Sequence, residues 1–348
     1  MKTFLLFLLL IAPLCANDWM DKVIAKEFAR WEETGITQEM IDETWELCHT
    51  KKSPFRRYQV INSEVYGAET KIKNLLRLIA KTYPLPDLDV IYYHHDVLQN
   101  GFFQNHCPLE QNAPILVSAK HQDLDRVVLF IDWYYNIFDM HKGWNALIHT
   151  IDAAQSSYPW EQKTEKLFWR GSPTDGKYKP NTWQNLPRGI LAHTSRKQPE
   201  LIDAAFVTVK KWQTNNLEWF KTTFDLAPFA SPEDHLAYKY QLIIDGVTST
   251  YPGTHWRLLS GCLSFIQNSE EKMWFTDELI PWKHYVPVKH DLSDLLENIL
   301  WAKEHDEEAR TIAENARQFA LTHLMPEEIL LYCYKSLCKY AELQKQAK

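Results

Sequence analysis

The sequence predicts an α/β protein with two domains around a cleft, and three observations support this prediction. Short apolar runs typical of buried strands alternate with amphipathic segments typical of helices, which favours α/β layers and a mainly parallel sheet. The chain has 348 residues, enough for two domains of roughly 100–200 residues each. No internal repeat or long flexible linker interrupts it. Such folds bind ligands at the carboxyl ends of their strands.

Short apolar runs predict the strands. Polar residues follow these runs, which cover residues 90–93, 115–117, 127–131, 166–169 and 263–267. Two longer segments, residues 201–212 and 233–244, each predict a helix or a helix followed by a strand. The predicted strands therefore fall in both halves of the chain, as two α/β domains require.

Amphipathic segments predict helices at both ends of the chain. Apolar residues recur at helical spacing, and the predicted helices cover residues 19–31, 69–81, 307–324 and 326–344. Thr37 is placed to cap a further helix, because a threonine before an apolar-periodic segment is a typical N-cap. Asp291 or Ser293 is placed in the same way before a helix around residues 292–299.

The first residues predict export. Lys2 precedes an apolar run over residues 4–14 and the small Ala16, which is the layout of a secretory signal peptide. We expect residues 1–16 to be removed, because the run is shorter than the roughly 20 residues of a membrane span. A buried helix or a lipoprotein cut before Cys15 is the alternative.

Later residues predict no membrane anchor. No segment after the signal peptide is apolar enough to cross a membrane, so the mature chain is expected to lack a transmembrane segment. The chain ends in Lys-Gln-Ala-Lys, without a Lys-Asp-Glu-Leu-like retention signal. We therefore expect a protein exported to a secretory lumen or to a bacterial envelope.

Composition excludes several classes of protein. The net charge of −7 and the pI near 6.1 argue against a nucleic-acid partner, which would favour a basic face. A hydrophobic fraction of 45% excludes a disordered chain. Only 10 residues are glycine, and no Gly-x-Gly-x-x-Gly occurs, so the usual dinucleotide fingerprint is absent.

Cysteine usage leaves two interpretations open. Loss of Cys15 would leave five cysteines, at positions 48, 107, 262, 333 and 338. Export permits disulfides, and a bond from Cys48 to Cys333 or Cys338 would tie the chain ends together. Buried reduced thiols are the alternative, because connectivity cannot be read from a sequence.

A loop over residues 171–178 nearly matches the phosphate-binding P-loop. Tyr178 stands where that motif needs a hydroxyl for magnesium, and Pro180 obstructs the helix that should follow. Ser172 and backbone amides of the loop remain candidates for phosphate contact. Arg170 and Arg188 flank the loop, and arginine suits diphosphate because its planar fork makes paired bonds. Salt bridges are the alternative role for both arginines.

Asp96 is the candidate catalytic residue. It follows the predicted strand over residues 90–93, where a carboxylate faces the cleft and can act as a general base. Metal binding with His94 and a merely hydrogen-bonded strand end are the alternatives. Two Asp-x-Asp tripeptides, which begin at Asp87 and Asp123, resemble metal clamps, but we interpret them as solvated loops.

A hydroxyl-rich turn follows a second predicted strand. Residues 238–252 run from Tyr238 into a turn that contains Gly246 and Ser249, and Arg257 lies shortly after it. Hydroxyls and amides at a strand-to-helix junction form a plausible phosphate or sugar cradle. The turn is therefore a second candidate ligand site.

These residues, taken in order, resemble glycosyltransferase family 90. That family holds Rumi-like protein O-glucosyltransferases and bacterial lipopolysaccharide-modifying and fungal capsule-associated relatives. The resemblance covers about residues 84–340. It is carried by KLFWRGS at 166–172, LPR at 186–188, LIDA at 201–204, YKY at 238–240 with DG at 245–246, Trp256 with LSG at 259–261, and PWKHYVPV at 281–288 followed by DL.

The resemblance implies a GT-B fold, two Rossmann-like domains facing a cleft, and C-terminal helices. It implies an inverting transfer of a sugar, glucose or xylose first, from a UDP-sugar to a hydroxyl of a protein, lipopolysaccharide or other glycan. No metal and no other cofactor is expected. Residues 17–155 would form the acceptor-side domain, residues 156–315 the nucleotide-sugar domain, and residues 316–348 helices that pack back on the first.

The resemblance also assigns roles. Asp96 matches the catalytic base, and the donor-binding positions are Arg170, Ser172, Arg188, Gly246, Ser249 and Arg257. The chain departs from the family in two places. Gly253, Thr254 and His255 stand where relatives usually carry an arginine, so Arg257 or His255 would substitute, and His95 replaces an arginine before Asp96. The alternative functions are an inactive secreted glycan-binding protein and a metal-dependent hydrolase that uses His94 and Asp96.

Overall fold

The computed structural model describes residues 18–50, 53–96, 98, 107, 109–132 and 143–346. The predicted signal peptide lies outside these residues. Within them, the α-helices are α1 (Asp18–Phe28), α2 (Gln38–Cys48), α3 (Lys71–Thr82), α4 (Trp144–Gln155), α5 (Pro187–Lys197), α6 (Leu217–Thr223), α7 (Pro232–His235), α8 (Gly253–Leu259), α9 (Leu295–Glu304), α10 (Asp306–His323) and α11 (Pro326–Gln346).

A mixed sheet forms the first half of the fold. Its strands are β1 (Phe55–Ile61), β2 (Glu64–Gly67), β3 (Leu88–Tyr93), β4 (Ile115–Val117) and β6 (Val127–Leu129), in the order β2-β1-β3-β4-β6. β1 runs antiparallel to both of its neighbours, whereas β3, β4 and β6 are parallel. The carboxyl ends of these three strands therefore share one edge of the sheet.

A parallel sheet forms the second half. Its strands are β7 (Thr164–Gly171), β8 (Ile202–Phe206), β9 (Tyr238–Ile243), β10 (Leu263–Gln267) and β12 (Val286–Val288), in the order β12-β10-β9-β7-β8. Every pairing in it is parallel. A short antiparallel pair, β5 (Lys120–His121) with β11 (Glu271–Lys272), links the two halves.

Two hydrophobic clusters hold these layers. One surrounds the parallel sheet, and the other surrounds the mixed sheet. The long helix α11 returns to the mixed sheet, where the Tyr332 hydroxyl donates to the Leu129 carbonyl at 2.8 Å and the Tyr340 hydroxyl to the Pro114 carbonyl at 3.1 Å. The end of the chain is thereby part of the core of the first half.

Most of the predicted elements are confirmed. The apolar runs correspond to β3, β4, β6, β7 and β10, and residues 233–244 form the helix α7 followed by β9. Thr37 caps α2, because its hydroxyl accepts from the Met40 amide at 3.0 Å. Within the described part of the chain, no helix is both long and apolar enough to cross a membrane.

Two predicted elements are wrong, and one hairpin was missed. Residues 201–212 begin with the strand β8, not a helix, because this segment pairs with β7. The hairpin β1–β2 was not predicted, since polar residues interrupt its apolar pattern. α9 begins after Asp294 without a side-chain cap, and the Asp291 carboxylate instead accepts from the Ser293 amide. Of the two interpretations of the cysteines, the structure agrees with reduced thiols, because all five described cysteines are free, and Cys48 contacts Cys107 rather than Cys333 or Cys338.

Candidate active site

Asp96 lies at the carboxyl edge of the mixed sheet, shortly after β3, and is half-buried. Its main-chain carbonyl accepts a hydrogen bond from the hydroxyl of Tyr251. Tyr251 belongs to the turn between β9 and α8, so it comes from the carboxyl edge of the parallel sheet. The predicted base and the predicted cradle, far apart in the sequence, are therefore brought together.

Two further strand ends contribute polar groups beside Asp96. The Tyr92 hydroxyl is 2.9 Å from both the Ser118 hydroxyl and the Ile131 carbonyl, which follow β4 and β6. Asp132, next in the chain, is buried. Burial raises the pKa of Tyr251, and the negative charges of Asp132 and Asp96 raise it further.

Asp132 is therefore a site residue that the sequence reasoning missed. It directly follows the apolar run over residues 127–131, in the way that Asp96 follows the run over residues 90–93. Because β3 and β6 belong to the same parallel set, both carboxylates lie at one edge. The sequence signal that could have identified Asp132 is therefore its position after a buried strand, which repeats the position of Asp96.

His94 has a structural partner. Its Nε2 lies 2.8 Å from the Tyr58 hydroxyl, which also contacts the Thr70 hydroxyl at 2.6 Å. Burial lowers the pKa of His94 to about 4, so the ring is neutral at physiological pH. Across the described residues, no group of three or more histidine, cysteine, aspartate or glutamate side chains is arranged to hold a metal ion.

Arg188 joins the loops at the carboxyl edge of the parallel sheet. Its Nε donates to the Asp245 carbonyl at 2.8 Å, and its Nη2 donates to the Ile244 carbonyl at 3.0 Å. Its Nη1 donates to the Ser172 carbonyl at 2.7 Å and to the Thr174 hydroxyl at 2.8 Å. Arg188 thus ties the loop after β7 to the loop after β9 and brings Ser172 near Gly246.

Gly246 is required by this close approach. A Cβ at this position would lie 3.0 Å from Nη2 of Arg188 and closer still to the Thr174 hydroxyl. Beside it, Asp245, Gly246 and Thr248 contribute to the lining of a cavity of about 620 Å³. Ser249 lines an adjoining cavity of about 210 Å³, which also contacts Asp245. The two predicted residues of the turn therefore border open space.

Arg170 is held on a different side of the strand. Its guanidinium pairs with the Asp203 carboxylate at 2.8 Å and lies 4.3 Å from the centroid of the Phe168 ring. Trp169, the intervening residue, faces Arg188. Because successive residues of a strand face opposite sides, Arg170 lies on the face opposite to Trp169 and points away from Arg188.

Arg257 is a buried cation on α8 with an exposed fraction of 5%. Its Nη1 donates to the Gly253 carbonyl at 3.1 Å, and its guanidinium lies 4.2 Å from the Trp256 ring centroid. Among the described residues, no partner reaches its buried Nε. Burial and the nearby positive charge of Arg188 lower the pKa of Arg257 to about 9.

Gly253 makes room for this guanidinium. A Cβ at Gly253 would lie 2.5 Å from Cγ2 of Thr250 and 3.0 Å from Nη1 of Arg257. His255, the other candidate for the missing arginine, packs instead between the rings of Trp144 and Phe275, at centroid distances of 5.7 and 4.7 Å. Burial lowers the pKa of His255 to about 3, so Arg257 is the charged group of the two.

A separate cavity of about 700 Å³ lies between α1 and the β5–β11 pair. Its charged lining residues are paired with each other. Lys26 contacts the Asp277 carboxylate at 2.6 Å, and Lys120 contacts the Glu27 carboxylate at 2.7 Å. Because these charges already have partners, this cavity presents less free charge than the region around Arg257.

The fold and the site together define an α/β protein with a carboxylate and a buried cation at the carboxyl edges of parallel strands. The sequence model of glycosyl transferase family 90 matches residues 13–348. The chain therefore belongs to glycosyl transferase family 90.

Individual relatives agree with that assignment. The chain is 29% identical over 331 residues to protein O-glucosyltransferase 3 of Homo sapiens, which covers 92% of this chain and 61% of the relative. It is 31% identical over 333 residues to protein O-glucosyltransferase 1 of Bos taurus, and this match covers 88% of this chain and 76% of the relative. The chain thus spans less than two thirds of the length of the human relative.

The solved structures that match this chain in part include HepE of Anabaena in complex with UDP and glucose. The TM-score is 0.45 and the identity 11%, over 77% of this chain and 75% of that chain.

Proposed function

We propose that this protein is a glycosyltransferase that moves a sugar from a UDP-sugar to an acceptor hydroxyl. The observation that carries the proposal is the hydrogen bond from Tyr251 to the Asp96 carbonyl, because it joins a candidate base to the turn that carries Gly246. Family membership supports the reaction class. The names of the relatives, protein O-glucosyltransferases, support glucose as the first sugar and a protein as the first acceptor to test.

The proposed reaction inverts the anomeric centre. Asp96 accepts the proton of the acceptor hydroxyl while the hydroxyl oxygen attacks the anomeric carbon from the side opposite UDP. The bond from that carbon to the UDP oxygen breaks, and its electron pair stays with the diphosphate. The carboxylate must therefore come within about 3 Å of the acceptor hydroxyl, directly or through one water.

Arg257 is the group that we assign to the diphosphate. Burying an unpaired charge is costly unless an opposite charge compensates it. In the described part of the chain, the charge that most affects the buried Arg257 is the like charge of Arg188. A bound diphosphate would supply the missing negative charge, and the fixed guanidinium would stabilise the charge that develops on the leaving group.

Arg188 and Ser172 have supporting roles in this proposal. The Arg188 side chain donates four hydrogen bonds to the loops after β7 and β9. Arg188 therefore acts as a positioning residue for these two loops. Ser172, Gly246 and Ser249 then contribute hydroxyl or amide groups to the donor. Arg170 would reach the donor only by releasing Asp203. We propose that these groups act without a metal ion.

The architecture that we propose is GT-B, with the donor and the acceptor bound between two Rossmann-like halves. The parallel sheet, within residues 156–315, would carry the donor, and the mixed sheet, within residues 17–155, would face the acceptor. The return of α11 to the mixed sheet supports the assignment of residues 316–348 to the first half. We further propose that the protein is exported and that its acceptor is a protein, a lipopolysaccharide or another glycan.

Release of UDP from UDP-glucose, UDP-xylose and UDP-galactose tests the reaction, with and without EDTA. We expect turnover with at least one donor, unchanged by EDTA. Asp96→Asn should lower kcat by about 10²–10⁴-fold, the usual contribution of a general base, and leave UDP affinity in calorimetry nearly unchanged. Asp123→Asn, an exposed aspartate of the same half, is the matched control.

Three results would contradict the proposal. Loss of UDP affinity in Asp96→Asn would assign Asp96 to nucleotide binding or folding. Glycan binding without UDP release from any donor would support an inactive glycan-binding protein, and activity that EDTA abolishes would support a metal-dependent enzyme.

A further inference from the structure

Two buried cysteines lie against each other in the first half of the fold. Cys48 is the last residue of α2, and Cys107 precedes β4. Their exposed fractions are 4% and 0%, and both belong to the hydrophobic cluster around the mixed sheet. The two thiols are hydrogen-bonded to each other.

The other described cysteines have different neighbours. The Cys262 thiol lies 3.5 Å from Nζ of Lys163 and 3.8 Å from the Ser260 carbonyl. Cys333 is enclosed in the core, and Cys338 contacts the Tyr334 hydroxyl. All five described cysteines are free thiols in this structure. Among them, Cys48 and Cys107 are the pair whose thiols contact each other.

We propose that Cys48 and Cys107 form a disulfide in the mature protein. The two thiols lose two protons and two electrons as the Sγ–Sγ bond forms. Oxidised glutathione, or a disulfide-donating oxidoreductase of an oxidising compartment, accepts them and is reduced to two thiols. This proposal rests on the export that we propose for the protein, and it does not depend on sugar transfer.

The surroundings favour attack by the Cys107 sulfur. The hydrogen bond from Cys48 lowers the pKa of Cys107, and the positive charge of Arg126 acts in the same direction. The hydrogen bond to Cys107 and burial raise the pKa of Cys48. The thiolate is the nucleophile in disulfide exchange, so a lowered pKa makes Cys107 the more reactive thiol of the pair once an oxidant reaches it.

The bond would tie α2 to the connection between β3 and β4. Cys107 and Asp96 both belong to that connection, and Cys48 is the last residue of α2. The bond would close a loop of roughly 60 residues, which stabilises a protein mainly by restricting its unfolded chain. We therefore expect the oxidised form to unfold at a higher temperature than the reduced form.

Peptide mapping tests the proposal on the unmodified chain. The purified protein is equilibrated in a buffer of oxidised and reduced glutathione, denatured without reductant, alkylated and digested. We expect a peptide pair linked through Cys48 and Cys107, with Cys262, Cys333 and Cys338 alkylated. Alkylation of Cys48 and Cys107 before reduction, or a link from Cys48 to another cysteine, would overturn the proposal.

A stability comparison gives a second measurement. Dithiothreitol should lower the Tm of the wild type and leave the Tm of the Cys48→Ser/Cys107→Ser variant unchanged. Cys262→Ser is the matched control, and it should retain the full response to dithiothreitol. An equal response in all three proteins would contradict the bond. UDP release is not needed for either measurement, so a failure of the proposed transferase activity would remain distinguishable.

Discussion

At the scale of single residues, Arg257 is a buried charge of the candidate site that the described residues compensate poorly. Its guanidinium is buried, its Nε lacks a partner among the described residues, and Arg188 adds a charge of the same sign. A buried charge without a counter-ion lowers stability. The same charge becomes favourable once an anion binds, so stability and ligand affinity should respond to its removal in opposite directions.

Replacing Arg257 with methionine should therefore raise the Tm of the free protein and weaken UDP binding. Loss of a charge-assisted hydrogen bond costs about 1.5–3 kcal/mol, which corresponds to roughly a 10- to 100-fold loss of affinity in calorimetry. Arg196→Met is the matched control, because Arg196 is exposed and donates to the main-chain carbonyls of Thr222 and Thr223. It should leave UDP affinity unchanged.

Gly253→Ala provides an independent check of the same arrangement. Its Cβ would clash with Cγ2 of Thr250 and crowd the guanidinium of Arg257, so it should weaken UDP binding while the charge is still present. Wild-type UDP affinity in both the Arg257→Met and Gly253→Ala variants would remove Arg257 from the donor site.

At the scale of elements, side-chain caps set where the helices of the first half begin. Thr37 caps α2 through the Met40 amide, and Thr70 caps α3 through the Lys73 amide. Thr70 also contacts the Tyr58 hydroxyl, so its removal would disturb more than one helix. Thr37 is the cleaner example, because the structure gives its hydroxyl this one hydrogen bond.

Thr37→Ala should lower the free energy of unfolding by about 1 kcal/mol, the typical cost of losing an N-cap. Denaturant unfolding measures it. Thr37→Ser keeps a hydroxyl at the same position and should retain most of the stability. Equal destabilisation by both substitutions would mean that the threonine methyl group, and not the cap, stabilises α2.

At the scale of the whole molecule, buried histidines couple stability to pH. Burial lowers the pKa values of His235 and His255 to about 3, and those of His94 and His284 to about 4. His255 also joins distant parts of the chain, because it packs between Trp144 and Phe275. Its neutral form is therefore part of the packed core.

Stability should fall as the pH is lowered from 7 to 5. The unfolded chain takes up protons on its histidines near pH 6.5, whereas the folded chain does not until about pH 3 or 4, so acid favours unfolding. Each unit below pH 6.5 costs about 1.4 kcal/mol per such histidine. The raised pKa values of buried Asp245 and Glu271 oppose this trend in part.

The Tm measured across this pH range tests the expectation, and His255→Phe is the informative variant. Phenylalanine keeps an aromatic ring between Trp144 and Phe275 but cannot be protonated, so the decrease in Tm towards pH 5 should become smaller. An identical pH dependence in the variant and the wild type would exclude His255 as one of the groups responsible.

The sequence predicted the features that depend on local pattern. Short apolar runs located β3, β4 and β7, and the Thr37 cap located the start of α2, because these signals involve residues close together in the chain. The α/β class followed from their alternation. Strands with mixed polarity were missed: β1 contains Arg56 and Arg57, and only its antiparallel pairing with β2 and β3 makes it a strand.

The candidate site was predicted in outline only. The strand-end position of Asp96 was visible in the sequence, as was the hydroxyl-rich turn with Gly246. The contact of Arg170 with Asp203 and the carbonyl partners of Arg188 were not, because each bond joins separate strands and loops. Asp132 was overlooked although its position after an apolar run repeats that of Asp96.

The sequence by itself therefore determined the α/β class, most of the strands and helices, and the residue types available for catalysis. The tertiary structure decided which of those residues meet. Tyr251 reaches Asp96, Arg257 fills the space beside Gly253, and Cys48 lies against Cys107. The contacts of Tyr251 and Cys48 cross long stretches of the chain, and the Arg257 contact depends on packing around α8, so they form only when the sheets and helices pack.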